Sequence, residues 1–125
     1  MAKQIMIVDD DRNILEFMHL ALAFEGYDVR VSTTGRDLQE VQLGDLPDLI
    51  LLDVKLVEED GRAICKQLKT NEQTKEVPII MLSTQIPIRQ LKGVCPADDF
   101  IAKPFLFIEL AVKALVHIQR ARLAP

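Results

Sequence analysis

The chain has 125 residues, which is the size of one domain built around a single hydrophobic core. Hydrophobic residues make up 49% of it and charged residues 27%, and the net charge of −4 argues against direct binding of nucleic acid, which needs a clustered basic surface. It contains no apolar run long enough to cross a membrane and does not begin with a signal peptide, so we expect a cytoplasmic protein.

The first part of the chain predicts a strand, a helix and a second strand. Gln4 to Val8 is apolar without alternation, which indicates a strand buried on both faces. The spacing of apolar residues then predicts a helix from about Arg12 to Glu25, ended by Gly26, and a short strand over Tyr27 to Val31. The residues expected on the buried side of this helix are Ile14, Phe17, Met18, Ala21 and Leu22.

The middle of the chain predicts two further helices around a third strand. Ser32-Thr33-Thr34-Gly35 supplies N-cap residues for a helix over about Arg36 to Leu43. Leu49 to Leu52 is again continuously apolar and is followed directly by Asp53. A third helix is expected over about Arg62 to Lys69.

The last part predicts two strands and two helices. Val77 to Leu82 reads as a fourth strand ending at Ser83, since a proline in it fits only near the start. Two prolines limit the fourth helix to Ile88 to Val94 at most. A fifth strand is expected over Asp99 to Ala102 and a final helix over Phe105 to about Arg122.

Five strands alternating with helices predict an α/β fold, with a parallel sheet and helices on both of its faces. In such sheets ligands bind at the carboxyl ends of the strands. The sequence places polar or charged residues at four of these ends: Asp9, Asp10, Asp53, Ser83 and Lys103. Their common position is the strongest indication of a functional site.

The residue types at these strand ends suit metal and phosphoryl chemistry. Crowded carboxylates suit Mg²⁺, which prefers oxygen ligands. A lysine and a hydroxyl suit a phosphoryl group, and an aspartate can itself accept that group. One carboxylate of the Asp9-Asp10-Asp11 run, Asp11, is expected to cap the following helix. The chain has no glycine-rich phosphate loop, which excludes a P-loop nucleotide-binding protein.

The cysteines and histidines form no recognisable site in the sequence. Cys65 and Cys95 have no CxxC spacing and no histidine at ligand distance. We interpret them as buried, reduced thiols, with a disulfide as the alternative. His19 and His117 fall in predicted helices, where we expect them at the surface.

Five motifs in their order and spacing make the chain resemble the receiver domains of bacterial two-component response regulators, from Lys3 to about Arg122. The motifs are Ile7-Val8-Asp9-Asp10-Asp11, Pro47-Asp48-Leu49-Ile50-Leu51-Leu52-Asp53, Asp60-Gly61, Val77-Pro78-Ile79-Ile80-Met81-Leu82-Ser83 and Asp99-Phe100-Ile101-Ala102-Lys103-Pro104-Phe105. The resemblance implies a flavodoxin-like (βα)5 three-layer sandwich whose parallel strands run in the order 2-1-3-4-5.

The resemblance also implies a phosphorylation site and its metal ligands. Asp53 matches the phospho-acceptor. Asp9 and Asp10 match the acidic pair that holds Mg²⁺ together with Asp53, helped by the backbone carbonyl of Lys55. Lys103 matches the lysine that pairs with the phosphoryl oxygens.

Two further positions match the residues that respond to phosphorylation in the family. Ser83 matches the hydroxyl that follows the phosphoryl group, although a simple turn hydroxyl is a competing interpretation. Phe100 matches the aromatic switch, although a half-buried packing residue is nearly as good an interpretation. We expect the Phe100 ring to move inward only when Asp53 is modified.

The function implied is a phosphorylation-activated signalling switch. Its donor would be a sensor histidine kinase or a phosphotransfer protein, and its downstream effector is unknown. We expect residues 1–125 to form a single domain, monomeric or dimerising when phosphorylated, without nucleic-acid or membrane binding. Whether the domain stands alone or was cut from a longer protein stays open.

The chain departs from the family pattern in two places. Val57 replaces a common proline in the loop after Asp53, and Glu58-Glu59 add charge there. The stretch from Ser83 to Phe100 is shorter than usual and contains two prolines, so the fourth helix is the element least determined by the resemblance.

Two other functions remain open. In a haloacid-dehalogenase-type phosphohydrolase, Asp9 would be the nucleophile, Asp11 the second acid and Asp98-Asp99 a later acidic pair, but Asp53 would have no role. In a binding-only pseudo-receiver, the acidic pocket would no longer accept a phosphoryl group.

Overall fold

The computed structural model describes residues 2–39 and 45–123, in which five strands alternate with five helices. In chain order these are β1 (Gln4–Val8), α1 (Arg12–Phe24), β2 (Asp28–Ser32), α2 (Arg36–Gln39), β3 (Leu49–Asp53), α3 (Gly61–Thr70), β4 (Ile79–Ser83), α4 (Ile88–Leu91), β5 (Asp99–Ala102) and α5 (Phe107–Leu123). The predicted alternation is confirmed. The part of the second helix that was predicted beyond residue 39 lies outside the described residues.

The strands form one parallel sheet in the order β2-β1-β3-β4-β5. All five therefore present their carboxyl ends at the same edge. β1 pairs with both β2 and β3, and β3 is the central strand, with every residue buried. The predicted flavodoxin-like order is confirmed.

Helices cover both faces of the sheet and give two separate apolar layers. Because side chains alternate along a strand, Met6 and Val8 enter one layer while Ile5 and Ile7 enter the other. The first layer lies under α2, α3 and α4, and the second under α1 and α5. The three-layer sandwich follows directly from the continuously apolar strands.

The ends of α1 are fixed by local hydrogen bonds that the sequence predicts. The Asp11 carboxylate accepts hydrogen bonds from the backbone N–H groups of Asn13 (3.0 Å) and Ile14 (3.3 Å), as expected for an N-cap. At the other end Gly26 has φ +99°, and the Tyr27 N–H donates to the Leu22 carbonyl over 3.2 Å. This left-handed cap ends the helix at Phe24.

Several details of the helices differ from the prediction. Leu15 is buried in α1, whereas Phe17 is 52% exposed and packs edge-on against Phe107 of α5, with ring centroids 6.2 Å apart. The periodicity predicts the helix correctly, but it places Phe17 on the buried side, whereas this side chain lies at the contact with α5. The last helix begins at Phe107, two residues later than expected, whereas the fourth helix, Ile88–Leu91, stays within its predicted limit.

One histidine was placed wrongly. The His117 side chain is only 11% exposed, and its Nε2 lies 2.8 Å from Asp99 Oδ2, so it is a paired residue rather than a surface one. The pairing joins residues far apart in the sequence, which helical spacing alone cannot show. Cys65 and Cys95 are both buried and free. In the described part of the chain, none of the helices is long and apolar enough to span a membrane.

Candidate functional site

The carboxyl ends of β1 and β3 bring three acidic side chains together. Asp9 and Asp10 follow β1, and Asp53 ends β3 beside it. One oxygen from each of these carboxylates lies within 4.8 Å of the others. Three hard oxygen donors at this separation fit a divalent cation such as Mg²⁺.

Lys103 reaches this acidic group from the end of β5. Its Nζ lies 2.5 Å from Asp9 Oδ2 and 3.3 Å from Asp53 Oδ2. The lysine side chain is only 6% exposed and Asp9 is fully buried, so water screens these contacts little. The structure thus brings the four residues predicted to bind Mg²⁺ and the phosphoryl group together in one pocket: Asp9, Asp10, Asp53 and Lys103.

The pocket changes the protonation of its members. Burial, followed by the charge of Asp9, raises the pKa of Asp53 to about 6, against the opposing pull of Lys103. Burial alone would lower the pKa of Lys103, but its bonds to Asp9 and Asp53 outweigh this and raise it. At neutral pH the lysine is therefore charged and Asp53 is mostly ionised.

The three adjacent aspartates after β1 have different roles. Asp9 is buried, and its Oδ1 accepts a hydrogen bond from the Asp11 N–H over 2.9 Å. Asp10 is half-buried and lines a cleft that also contains Asp53. The Asp11 carboxylate caps α1 and is not part of the three-carboxylate group. Only Asp9 and Asp10 are thus available to the site.

Gly61 supports the acceptor strand from the first position of α3. A β-carbon at this glycine would lie 2.0 Å from the backbone carbonyl oxygen of Asp53, a distance no side chain tolerates. Its N–H donates to the Val54 carbonyl over 2.7 Å, and Asp60 caps the helix. The Asp60-Gly61 motif therefore returns the chain directly behind Asp53.

Ser83 lies at the end of β4, and its hydroxyl is bonded within the following loop rather than to the acidic group. Its hydroxyl donates a hydrogen bond of 2.6 Å to the backbone carbonyl of Ile86, and the residue is 3% exposed. In this state the serine acts as a turn hydroxyl within the β4–α4 segment. Sequence reasoning had no signal for the Ile86 carbonyl as its partner.

Phe100 is already buried, in the same apolar layer as Leu91 and Cys95. The expectation that its ring enters the interior only on modification of Asp53 does not match this position. The backbone around it is also held, since Lys113 Nζ donates to the Phe100 carbonyl and to Asp99 Oδ1, each over 3.0 Å. Burial alone would raise the pKa of Asp99, but its bonds to His117, the Phe100 N–H and Lys113 outweigh burial and lower it.

Lys55 lies at the mouth of the site and contacts a residue that the sequence did not indicate. Its backbone N–H donates to Asp53 Oδ1 over 3.4 Å, and its Nζ lies 3.3 Å from Gln85 Oε1. The lysine and the glutamine thus bridge the loops after β3 and β4. Both line a cleft of about 1010 Å³ that also contains Asp53.

The geometry disfavours the phosphohydrolase alternative. Asp98 and Asp99 lie at the amino-terminal end of β5, the opposite edge of the sheet from the acidic group. Asp98 is paired there with Lys69 over 2.6 Å and accepts a hydrogen bond from the Ile79 N–H. The second acid of that mechanism, Asp11, is used as a helix cap and is not one of the three clustered carboxylates, and the later acidic pair lies outside the pocket.

Comparison with known proteins gives one family. Residues 5–115 match the model of the response regulator receiver domain. A curated relative, the response regulator MprA of Mycolicibacterium vanbaalenii, is 32% identical over 122 residues. The match covers 96% of this chain and 52% of that protein, so the chain spans about half the length of this relative.

Solved structures agree with this comparison. The receiver domain of a signal transduction histidine kinase from Syntrophus aciditrophicus is 30% identical with a TM-score of 0.86, covering 99% of this chain and 96% of the other. The response regulator TrrA of Thermotoga maritima, solved in complex with Mg²⁺ and BeF, is 27% identical with a TM-score of 0.80. That match covers 92% of this chain and 98% of the other.

Proposed function

The chain belongs to the response regulator receiver domain family, and we propose that it is a switch that accepts a phosphoryl group on Asp53. The donor that we infer is a phosphohistidine of a sensor histidine kinase or a phosphotransfer protein. One observation carries the proposal: the Lys103 ammonium group contacts both Asp9 and Asp53. In this proposal Asp53 is the nucleophile, Asp9 is a metal-binding acid and Lys103 is the cation that binds the phosphoryl group.

The acceptor chemistry follows from the ionised form of Asp53. One carboxylate oxygen attacks phosphorus, the bond from phosphorus to the imidazole nitrogen breaks, and the electron pair leaves with the imidazole. Lys103 needs no large movement to pair with a phosphoryl oxygen, because its Nζ lies 3.3 Å from Asp53 Oδ2. The protein supplies alignment and positive charge.

The same pocket supports Mg²⁺ as the cofactor. Asp9, Asp10 and Asp53, with the backbone carbonyl of Lys55, are the residues that would hold it. When bound, Mg²⁺ supplies positive charge that offsets the charge of the phosphoryl group. The relative TrrA was solved with Mg²⁺ and BeF, which supports the assignment by similarity.

We infer that the signal leaves the site through Ser83 rather than through an inward swing of Phe100. A phosphoryl dianion on Asp53 would attract the Ser83 hydroxyl, which then leaves the Ile86 carbonyl. The segment before α4 loses its hydrogen bond and can rearrange around the buried Phe100 ring. The effector that reads this change, and a dimer of the phosphorylated form, stay predictions.

Phosphoryl transfer from a small donor separates the three candidate functions. Incubation with acetyl phosphate and Mg²⁺ should add one phosphoryl group per chain by intact-mass measurement, with little gain when EDTA replaces Mg²⁺. A pseudo-receiver would gain none in either condition. A phosphohydrolase would instead release inorganic phosphate from p-nitrophenyl phosphate over many turnovers, which we do not expect here.

A further inference from the structure

Two cysteines far apart in the sequence meet in the apolar layer under α3 and α4. Cys65 lies in the middle of α3, and Cys95 lies four residues after the end of α4. Both belong to one cluster of buried residues, and each thiol shifts the pKa of the other, upward for Cys65 and downward for Cys95. Neither thiol belongs to the acidic pocket or has a role in phosphoryl transfer.

An ion pair also holds the same two segments together. One turn after Cys65, the Lys69 ammonium group pairs with Asp98 over 2.6 Å. On the other segment, the Cys95 backbone N–H donates to the Leu91 carbonyl over 2.9 Å, which ties this residue to α4. The approach of the two segments therefore does not depend on the thiols, and the cysteines occupy a fixed position between them.

The two thiols differ in access and in acidity. Cys95 is 5% exposed, whereas Cys65 is completely buried. The Cys65 thiol, the Ala97 backbone N–H and the charge of Arg62 stabilise the Cys95 thiolate and lower its pKa to about 7. The interaction with Cys95 and burial raise the pKa of Cys65. Cys95 is thus the outer, nucleophilic thiol and Cys65 the inner one.

We propose that Cys65 and Cys95 form a redox-active pair that a hydroperoxide converts into an intramolecular disulfide. The Cys95 thiolate attacks the peroxide oxygen, which gives a sulfenic acid and releases water or an alcohol after protonation. The Cys65 sulfur then attacks the Cys95 sulfur, its proton leaves with the sulfenic hydroxyl as water, and the sulfur–sulfur bond forms. The thiols lose two electrons and the peroxide gains them.

The short α4 segment bears on both the access of the peroxide and the effect of the disulfide. α4 has only four residues, and Gly93 and Val94 after it are exposed, so the segment that carries Cys95 can open locally. The new bond would fix this segment to α3 and close a loop over residues 65–95. Because the loop also constrains the unfolded chain, the oxidised protein should melt at a higher temperature than the reduced one.

Intact-mass measurement tests the pair directly. The reduced, folded chain is exposed to hydrogen peroxide at a dose that leaves its methionines unoxidised, and is then unfolded in iodoacetamide. The wild type should lose the two thiol hydrogens and resist alkylation, until a reductant restores two alkylated cysteines. Peptide mapping should identify a bond from Cys65 to Cys95 within one chain, and the oxidised form should melt several degrees higher.

Single substitutions test the order of the steps. Cys65→Ser should stop at a Cys95 sulfenic acid that dimedone traps, whereas Cys95→Ser should leave Cys65 unreactive. Circular dichroism checks that each variant is folded, with Cys65→Ala and Cys95→Ala in reserve. Wild-type protein that keeps both thiols, or that forms the bond only between chains or only after unfolding, overturns the proposal. None of these outcomes depends on phosphorylation of Asp53.

Discussion

Lys103 partly neutralises the negative charge of the acidic pocket. It contributes one positive charge to a group that contains Asp9, Asp10 and Asp53, so the ionised pocket keeps an excess of negative charge. Burial amplifies this imbalance because water screens the carboxylates poorly. The pocket therefore favours a bound cation. Without one, the ionised form of Asp53 destabilises the folded state.

The first prediction concerns this cost. Asp53 has a pKa of about 6 against an ordinary value of 3.8, so the folded state binds its proton more tightly than the unfolded state does. Stability is then lost as the pH rises from about 4 to 6, and the penalty is complete above this window. In metal-free buffer near pH 7.5, Asp53→Asn should raise the free energy of unfolding by about 1–3 kcal/mol.

Urea denaturation at two pH values checks this prediction. The gain from Asp53→Asn should shrink toward zero near pH 3, where wild-type Asp53 is largely protonated in both states. Asp28→Asn, at an exposed position of β2, is the matched control and should change little at either pH. A gain that is absent at neutral pH, or equal at both values, would contradict the assignment of a strained carboxylate.

The second prediction concerns the lifetime of the phosphorylated state. Lys55 and Gln85 bridge the mouth of the site, and we expect this bridge to obstruct the water that attacks the aspartyl phosphate. Lys55→Ala should then lose phosphate roughly two- to fivefold faster. Lys66→Ala, at an exposed position of α3, is the control. Equal rates, or slower loss in Lys55→Ala, would remove the idea.

At the scale of elements, the segment between β4 and α4 depends on one side chain. The Ser83 hydroxyl is the hydrogen-bond donor for the Ile86 carbonyl, in a buried position. Ser83→Ala should lower the free energy of unfolding by about 1–2 kcal/mol, because this carbonyl loses its partner. The exposed neighbour Thr84→Ala should cost much less in the same urea titration.

The coupling carried by this segment can be observed by NMR. Beryllofluoride, a phosphoryl mimic, should shift the amide signals of both the Asp53 neighbourhood and residues 84–94 in the wild type. In Ser83→Ala the first set should still move while the second moves less. If residues 84–94 stay fixed in the wild type, the signal leaves by another face.

The elements also show where sequence reasoning reaches its limit. β5 was predicted with its exact bounds and β1 likewise, because buried strands and their flanking polar residues are local signals. The orientation of α1 was missed because Phe17 leans on Phe107, a contact that helical spacing does not contain. The pairing of His117 with Asp99 was missed for the same reason, because it joins residues from two different elements.

For the molecule as a whole, the order of the parallel strands determines which residues form the site. The strand order brings the ends of β1, β3, β4 and β5 together, so residues separated by about fifty positions or more become neighbours. The five acidic, hydroxyl and lysine positions could be predicted from their place after strands. Their hydrogen bonds could not, since the position of the Ser83 hydroxyl depends on a backbone carbonyl three residues later.

The fourth prediction is a whole-molecule response to metal. An ion that binds only the folded state raises its stability by mass action. Mg²⁺ should therefore raise the thermal midpoint of the wild type, with Na⁺ at equal ionic strength as the control. Asp10→Asn should raise the metal-free midpoint by relieving repulsion and should weaken the response to Mg²⁺. A midpoint that is insensitive to Mg²⁺ would count against the metal site.

The most direct measurement of the central claim is the mass of the intact chain after incubation with acetyl phosphate and Mg²⁺, compared between the wild type, Asp53→Asn and the exposed control Asp28→Asn. The wild type and Asp28→Asn should each gain one phosphoryl group at similar rates, and Asp53→Asn should gain none. An Asp53→Asn protein that is phosphorylated at the wild-type rate would show that Asp53 is not the acceptor.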